Sequence, residues 1–147
     1  MKVYLDTCSL QRPLDSKTQV HIMLEVEAIL GLLALCESGD IELMSSEALL
    51  FEIERNPNVA RQEYALEALS RAKSFVLLNP RAEERARELN ALGFKPLDAL
   101  HLASAEEGQA DYLCTCDARF LRKARAVRGL GTRVVSPVEL IEEIEKW

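Results

Sequence analysis

Short apolar runs alternate with longer stretches of helical periodicity along this chain. Five runs read as strands: KVYLD (2–6), IELMS (41–45), SFVLL (74–78), DYLCTC (111–116) and TRVVS (132–136), several of them closed by Ser, Pro or Asp. Between the first two, QVHIMLEVEAILGLLALCE (19–37) repeats apolar residues at helical spacing and meets a stop at Gly39. Ser46 is placed to cap EALLFEIER, which breaks before Pro57. Helices are also expected over 58–73, 81–92, 96–107, 118–127 and, after Pro137, 138–146. Pro80 and Pro96 suit first-turn positions, and Gly93 and Gly108 suit helix ends. Strands separated by helices of about ten residues or more need crossover connections, so the pattern predicts an α/β fold. We expect a doubly wound α/β/α sandwich on a parallel sheet of about five strands.

Composition narrows this picture. With 147 residues, 48% of them hydrophobic, the chain suits one domain (1–147) with a substantial core and is short for two. It begins directly on an apolar strand without a leader, and charges interrupt its longest apolar stretch, so a cytoplasmic protein with no membrane association is expected. Cys8, Cys36, Cys114 and Cys116 form no C-x-x-C pair, which favours reduced thiols over disulfides or a structural zinc site. A net charge of −6 excludes a protein that coats nucleic acid through bulk positive potential, so any such contact must be local.

Doubly wound sheets bind ligands beyond the carboxyl ends of their strands, where strand order reverses. Asp6 ends the first strand and Asp117 the fourth. Glu52 lies about a turn and a half into the helix after the second strand, and Asp98 opens LDALHLASA. Taken singly, Asp6 reads as a turn residue, Asp117 as a helix cap, and Glu52 as a solvated partner of Arg55 or Asn56. Glu47, the competitor of Glu52, is explained by the helix dipole. Asp98 resists such a reading, because its helix has almost no solvent face and an unpaired buried charge is costly. Two carboxylates about 5 Å apart repel by roughly 3 kcal/mol at an effective dielectric of about 20, and no cation lies in sequence beside all four acids. A hard divalent cation, Mg2+ or Mn2+, with its preference for oxygen ligands would reconcile them.

VYLDTCSL, LMSSEALLFEI, PLDALHLASA and DYLCTCDARFL resemble, in order and spacing, the four acidic motifs of the PIN domain, a superfamily of magnesium- or manganese-dependent ribonucleases that includes many toxin-antitoxin toxins. The resemblance runs from Met1 to about residue 137, and DALHLASA with TCDARF is its specific part. It implies that Asp6, Glu52, Asp98 and Asp117 are the catalytic, metal-binding acids, with Asp6, Asp98 and Asp117 the foremost ligands and Glu52 binding a second metal or orienting water. Thr7, Ser9 and Thr115 would support them. It also implies hydrolysis of an RNA phosphodiester to 5′-phosphate products, a small antitoxin protein as partner, and a homodimer. Cys8 and Cys116 depart from the Asn or Ser more often found beside the acids, which leaves open the hydrogen bonds those residues supply. A cysteine pair there also raises the possibility of a soft metal or oxidation inhibiting the site.

For substrate contact, RFLRKARAVR offers Arg119, Arg122, Lys123, Arg125 and Arg128, of which the first three are the candidate RNA-binding residues. His101 sits one turn after Asp98, where a satisfied interior histidine is the simpler reading. Ile22, Val26, Ile29, Leu30 and Leu33 could form a dimer or antitoxin surface, or serve as core. A phosphoacceptor receiver domain is disfavoured because Asp6 lacks an adjacent acid and Ser136, not lysine, precedes Pro137. A haloacid-dehalogenase-type phosphatase would want Asp where Cys8 stands. A stand-alone housekeeping ribonuclease and a catalytically silent PIN-like interaction module remain the alternatives.

Overall fold

The computed structural model describes residues Met1–Trp147. Five strands, β1 (Lys2–Leu5), β2 (Glu42–Ser46), β3 (Ser74–Val76), β4 (Tyr112–Cys114) and β5 (Arg133–Val135), form one parallel sheet in the order β3-β2-β1-β4-β5. β1 sits at the centre, pairing Val3 with Leu43 on one side and Leu5 with Cys114 on the other. Chain order runs outward from β1 to β3 and then returns to β4, so the reversal falls between β1 and β4. All five expected strands are present. The last three, β3, β4 and β5, are shorter than their apolar runs; after β4, Thr115 still donates its N–H to Val135 O at 3.0 Å before Cys116 and Asp117 lead into the cap of α7.

Seven of the eight helices were expected from periodicity: α2 (Val20–Ser38), α3 (Glu47–Arg55), α4 (Val59–Leu69), α5 (Pro80–Ala91), α6 (Pro96–Glu107), α7 (Ala118–Ala126) and α8 (Pro137–Glu145). The exception is α1 (Thr7–Gln11), a single turn and a half followed by a 3-10 turn, Arg12–Leu14, and too short to show a period. Caps fall where side chains can supply them. Ser46 accepts from Leu49 N at 3.1 Å, and Ser136 closes a capping box with Glu139. α2 ends at Gly39 with φ 86°, a left-handed conformation that glycine adopts without steric cost.

Gly108 ends α6 for a different reason. Its φ is an ordinary −82°, but a Cβ there would lie 2.1 Å from Met44 Cε and 2.6 Å from Val76 Cγ2. The helix end is simply pressed onto β2 and β3. α6 reaches the sheet this closely because its inner face carries Ala99, Ala103, Ser104 and Ala105, all buried. α2 packs on α8, α5 on α6, and α3 touches both α4 and α6. Tyr4, Leu43, Leu102 and Leu113 are among the side chains fully withdrawn from water, each buried leucine contributing about 1.5–3 kcal/mol. No helix is long and apolar enough to cross a membrane.

Candidate active site

Asp6 leaves β1 at the crevice beside β4, and its backbone N–H still donates to Cys114 O at 3.2 Å. The same residue caps α1: its Oδ1 accepts from Ser9 N and from the Cys8 thiol, each at 3.1 Å. Cys8 therefore supplies a hydrogen bond to the acid despite departing from a more polar residue. Ser9 Oγ donates to Cys114 O at 3.0 Å, which ties α1 to β4. Burial raises the Asp6 pKa, against the opposing pull of the Thr115 hydroxyl, the Cys8 thiol and His101.

Across the crevice, Thr115 Oγ1 accepts from Asp117 N at 3.0 Å, and Asp117 Oδ1 caps α7 through Arg119 N and Phe120 N at 2.9 and 3.3 Å. Asp98 enters from the first turn of α6, whose N-terminus has no side-chain cap. Burial, then the charges of Asp117 and Asp6, push its carboxyl up to about 6. Residues 6, 98 and 117 are thus electrostatically one cluster. It is open, not a closed cage: no three His, Cys, Asp or Glu side chains stand together at chelating separation. Beside it Thr7 Oγ1 is buried without a hydrogen-bond partner. All-oxygen donors that repel one another, with an orphaned hydroxyl alongside, fit a hard cation such as magnesium, which takes one or two carboxylates and keeps several waters.

Glu52 is placed differently. Its Oε1 lies 2.9 Å from His101 Nε2, while His101 Nδ1 lies 2.7 Å from Tyr4 Oη, itself 2.7 Å from Ser46 Oγ. One proton arrangement satisfies every group: Leu49 N–H donates to Ser46, Ser46 O–H to Tyr4, Tyr4 O–H to His101 Nδ1, and His101 Nε2–H to Glu52. Burial pushes the Glu52 carboxyl up, but the hydrogen bond with His101 overcomes it and holds the pKa below the ordinary value. Partnership with Arg55 or Asn56 is not found; Arg55 stacks over the Phe51 ring at 4.2 Å. Glu47 Oε1 instead accepts from Leu78 N at 3.2 Å, bonding α3 to the segment after β3.

His101 is buried, as an interior histidine should be, yet it is also the cation-forming side chain nearest Glu52. Sequence reasoning missed this contact, since the two residues lie far apart in the chain. It missed Lys95 as well, which flanks Asp98 and pulls its pKa down. A cavity of about 100 Å3 joins Asp98 and Lys95 to Arg119 and Lys123; Arg122 lies outside it. The largest cavity, about 560 Å3 beside β5, contains none of the four acids. Cys116 approaches Ser9 Oγ at 3.7 Å. The nearby Cys116, burial and the Asp6 charge hold the Cys8 thiol protonated, well above its ordinary pKa, which disfavours the thiolate that oxidation or a soft metal needs. On α2, Val26, Ile29 and Leu33 belong to the core, whereas Val20, Met23, Leu24 and Leu30 face outward.

The PIN domain family pattern matches residues 3–126, a span that contains all four acids. Among solved structures the chain is similar to VapBC2 from Rickettsia felis bound to a DNA fragment from their promoter, with 13% identity, a TM-score of 0.60 and coverage of 92% of this chain and 98% of that one. It is also similar to PAE2754 from Pyrobaculum aerophilum, with 16% identity, a TM-score of 0.54 and full coverage of both chains. At these identities the likeness is one of fold. No curated relative matches the chain.

Proposed function

We propose that this chain, which belongs to the PIN domain family, is a divalent-metal-dependent endoribonuclease acting as the toxin of a cytoplasmic toxin-antitoxin pair. The observation that carries the reading is the meeting of acids from separate elements at one crevice. The Cys8 thiol reaches both Asp6 Oδ1, at 3.1 Å, and Thr115 Oγ1, at 3.6 Å, Thr115 in turn holds the Asp117 amide, and Asp98 shares a cavity with Arg119 of the helix that Asp117 caps. A site of that kind is unfavourable without a positive charge to occupy it.

In this reading Asp6, Asp98 and Asp117 hold magnesium or manganese. When bound, the ion supplies Lewis-acid polarisation of the phosphoryl oxygens and offsets the repulsion among the carboxylates. The protein does the positioning. Cys8 and the Ser9 amide fix Asp6, and Thr115 fixes the turn that presents Asp117. Glu52, kept ionised by His101, is suited to accept a hydrogen bond from the attacking water or to bind a second ion. Hydrolysis adds that water to phosphorus and breaks the bond to the 3′-oxygen, leaving a 5′-phosphate on one product and a 3′-hydroxyl on the other. The outward Val20, Met23, Leu24 and Leu30 on α2 offer an apolar surface to a second copy or a small antitoxin.

The test is manganese-dependent cleavage of single-stranded and structured RNA by the purified protein beside Asp98→Asn. Cleavage by the wild type alone is expected. Equal cleavage by both, or by neither with no heat of metal binding in calorimetry, overturns the reading.

A further inference from the structure

The small cavity next to Asp98 is built unlike the rest of the surface. Phe94 and Phe120 line it, both buried and packed edge to face with ring centroids 5.9 Å apart. Lys95, Arg119 and Lys123 line it too, arriving from the start of α6 and from one face of α7. Elsewhere on α7, Arg125 pairs with Glu139. None of the three cavity cations has a carboxylate within ion-pair distance. Lys123 is also closely seated, for a Cβ on Gly93 would come within 2.7 Å of its Nζ.

Three unspent cations gathered around one hollow, in a chain of net charge −6, mark a place for an anion. Size and lining say which kind. The hollow is the smallest of the molecule's main cavities, about 100 Å3, a size that suits a phosphate group rather than a whole nucleoside. The two phenylalanines are packed on one another and leave no open face for a base to stack on. Charge is thus the means of recognition, and it carries no base preference.

We infer that this cavity seats one backbone phosphate of a single-stranded RNA, the phosphate neighbouring the scissile one, between Lys95, Arg119 and Lys123. The inference rests on the ribonuclease reading above and deepens it. Because Asp98 lines both the cavity and the acid cluster, a strand held here runs directly past the carboxylates. Arg122, outside the cavity, takes no part in this seat.

The experiment is binding of a fluorescent single-stranded RNA in EDTA, which separates binding from cleavage, measured across a range of salt concentrations. Wild type is compared with the triple variant Lys95→Gln, Arg119→Gln, Lys123→Gln and with Lys73→Gln, a cation at the opposite edge of the sheet. One neutralised phosphate is worth about 0.7 in the slope of log affinity against log salt for a single strand. The triple variant is expected to lose about 0.7 of slope and to bind about tenfold more weakly at low salt, while Lys73→Gln matches wild type. All three cavity side chains are at least partly exposed, so an unchanged melting temperature shows that the variant is folded. An unchanged slope overturns the seat while leaving the nuclease reading standing, and a loss near 2 overturns it in favour of three separate phosphate contacts. Failure of the wild type to bind RNA at all overturns the ribonuclease reading and the seat with it.

Discussion

The imidazole Nε2 of His101 stands 2.9 Å from Glu52 Oε1, joining the buried middle of α6 to the half-buried face of α3. The bond ends a chain of four side chains that begins at the Ser46 cap, so local helix capping and the state of a candidate catalytic acid are mechanically linked.

His101→Ala should destabilise the fold by about 2–4 kcal/mol, since it opens a cavity and strands the Tyr4 hydroxyl and Glu52 carboxylate. Glu52→Gln should cost about 1 kcal/mol or less, because an amide oxygen still accepts from Nε2–H, yet it should remove RNA cleavage. Urea midpoints read against cleavage rates check both. A neutral His101→Ala would mean the network does not form.

Asp98 makes stability depend on pH in metal-free protein. Its folded pKa of about 6 exceeds the ordinary 3.8, so the folded state holds the proton more tightly than the unfolded one across that interval. The stabilisation linked to Asp98 should therefore be greatest below about pH 4, fall as pH rises toward 6, and show no further loss above it. The group is half exposed, and solvent screening reduces the size of the effect. Comparing melting temperatures of wild type and Asp98→Asn from pH 4 to 7 isolates it; a wild-type minus variant difference that does not change with pH contradicts it.

Metal binding should reverse that penalty. At neutral pH, Mn2+ at about a hundred times its dissociation constant should stabilise the wild type by roughly 2.7 kcal/mol. Asp98→Asn and Asp117→Asn should lose most of this gain in a thermal shift series.

Cys8 lies at the surface with its thiol turned inward onto Asp6 and Thr115, and its raised pKa predicts slow alkylation. Iodoacetamide at pH 7.5 should modify Cys8 more slowly than it modifies a free cysteine. Cys8→Ser should retain metal binding by keeping a donor to Asp6, whereas Cys8→Ala should weaken it. A Cys8 rate equal to free cysteine would show that the thiol is not held by its neighbours.

Gly108→Ala should cost about 1–3 kcal/mol by driving a methyl group into Met44 and Val76. Gly129→Ala, where φ is 81° and nothing lies within 4 Å, should cost about 1–2 kcal/mol through backbone strain alone. In a double-mutant cycle, Met44→Ala, itself costly because the side chain is fully buried, should cost less in the Gly108→Ala background than in the wild type and the same in the Gly129→Ala background, as denaturation midpoints would show.

Local pattern was enough for much of this protein. The alternation of apolar runs with helical spacing specifies five strands and seven helices, since a strand buried on both faces and a helix with an apolar stripe each leave a period in the chain. Ser46, Asp117, Pro80 and Pro96 mark their helix starts because capping and first-turn preferences act within a few residues. The acids too could be named as candidates, because strand ends and a charge on an otherwise buried helix are visible in sequence.

What the chain could not disclose are meetings between distant residues. Helix α1 is shorter than one detectable period. Glu52 finds His101 only because α3 and α6 pack together, and Lys95, Arg119 and Lys123 share a cavity only because α6 and α7 converge beside the crevice. The outward part of α2 is likewise indistinguishable by composition from its core face: Leu30 is exposed and Leu33 buried with the same side chain. Propensity and periodicity act along the backbone, whereas these pairings depend on how finished elements pack, and that is decided by the whole core at once.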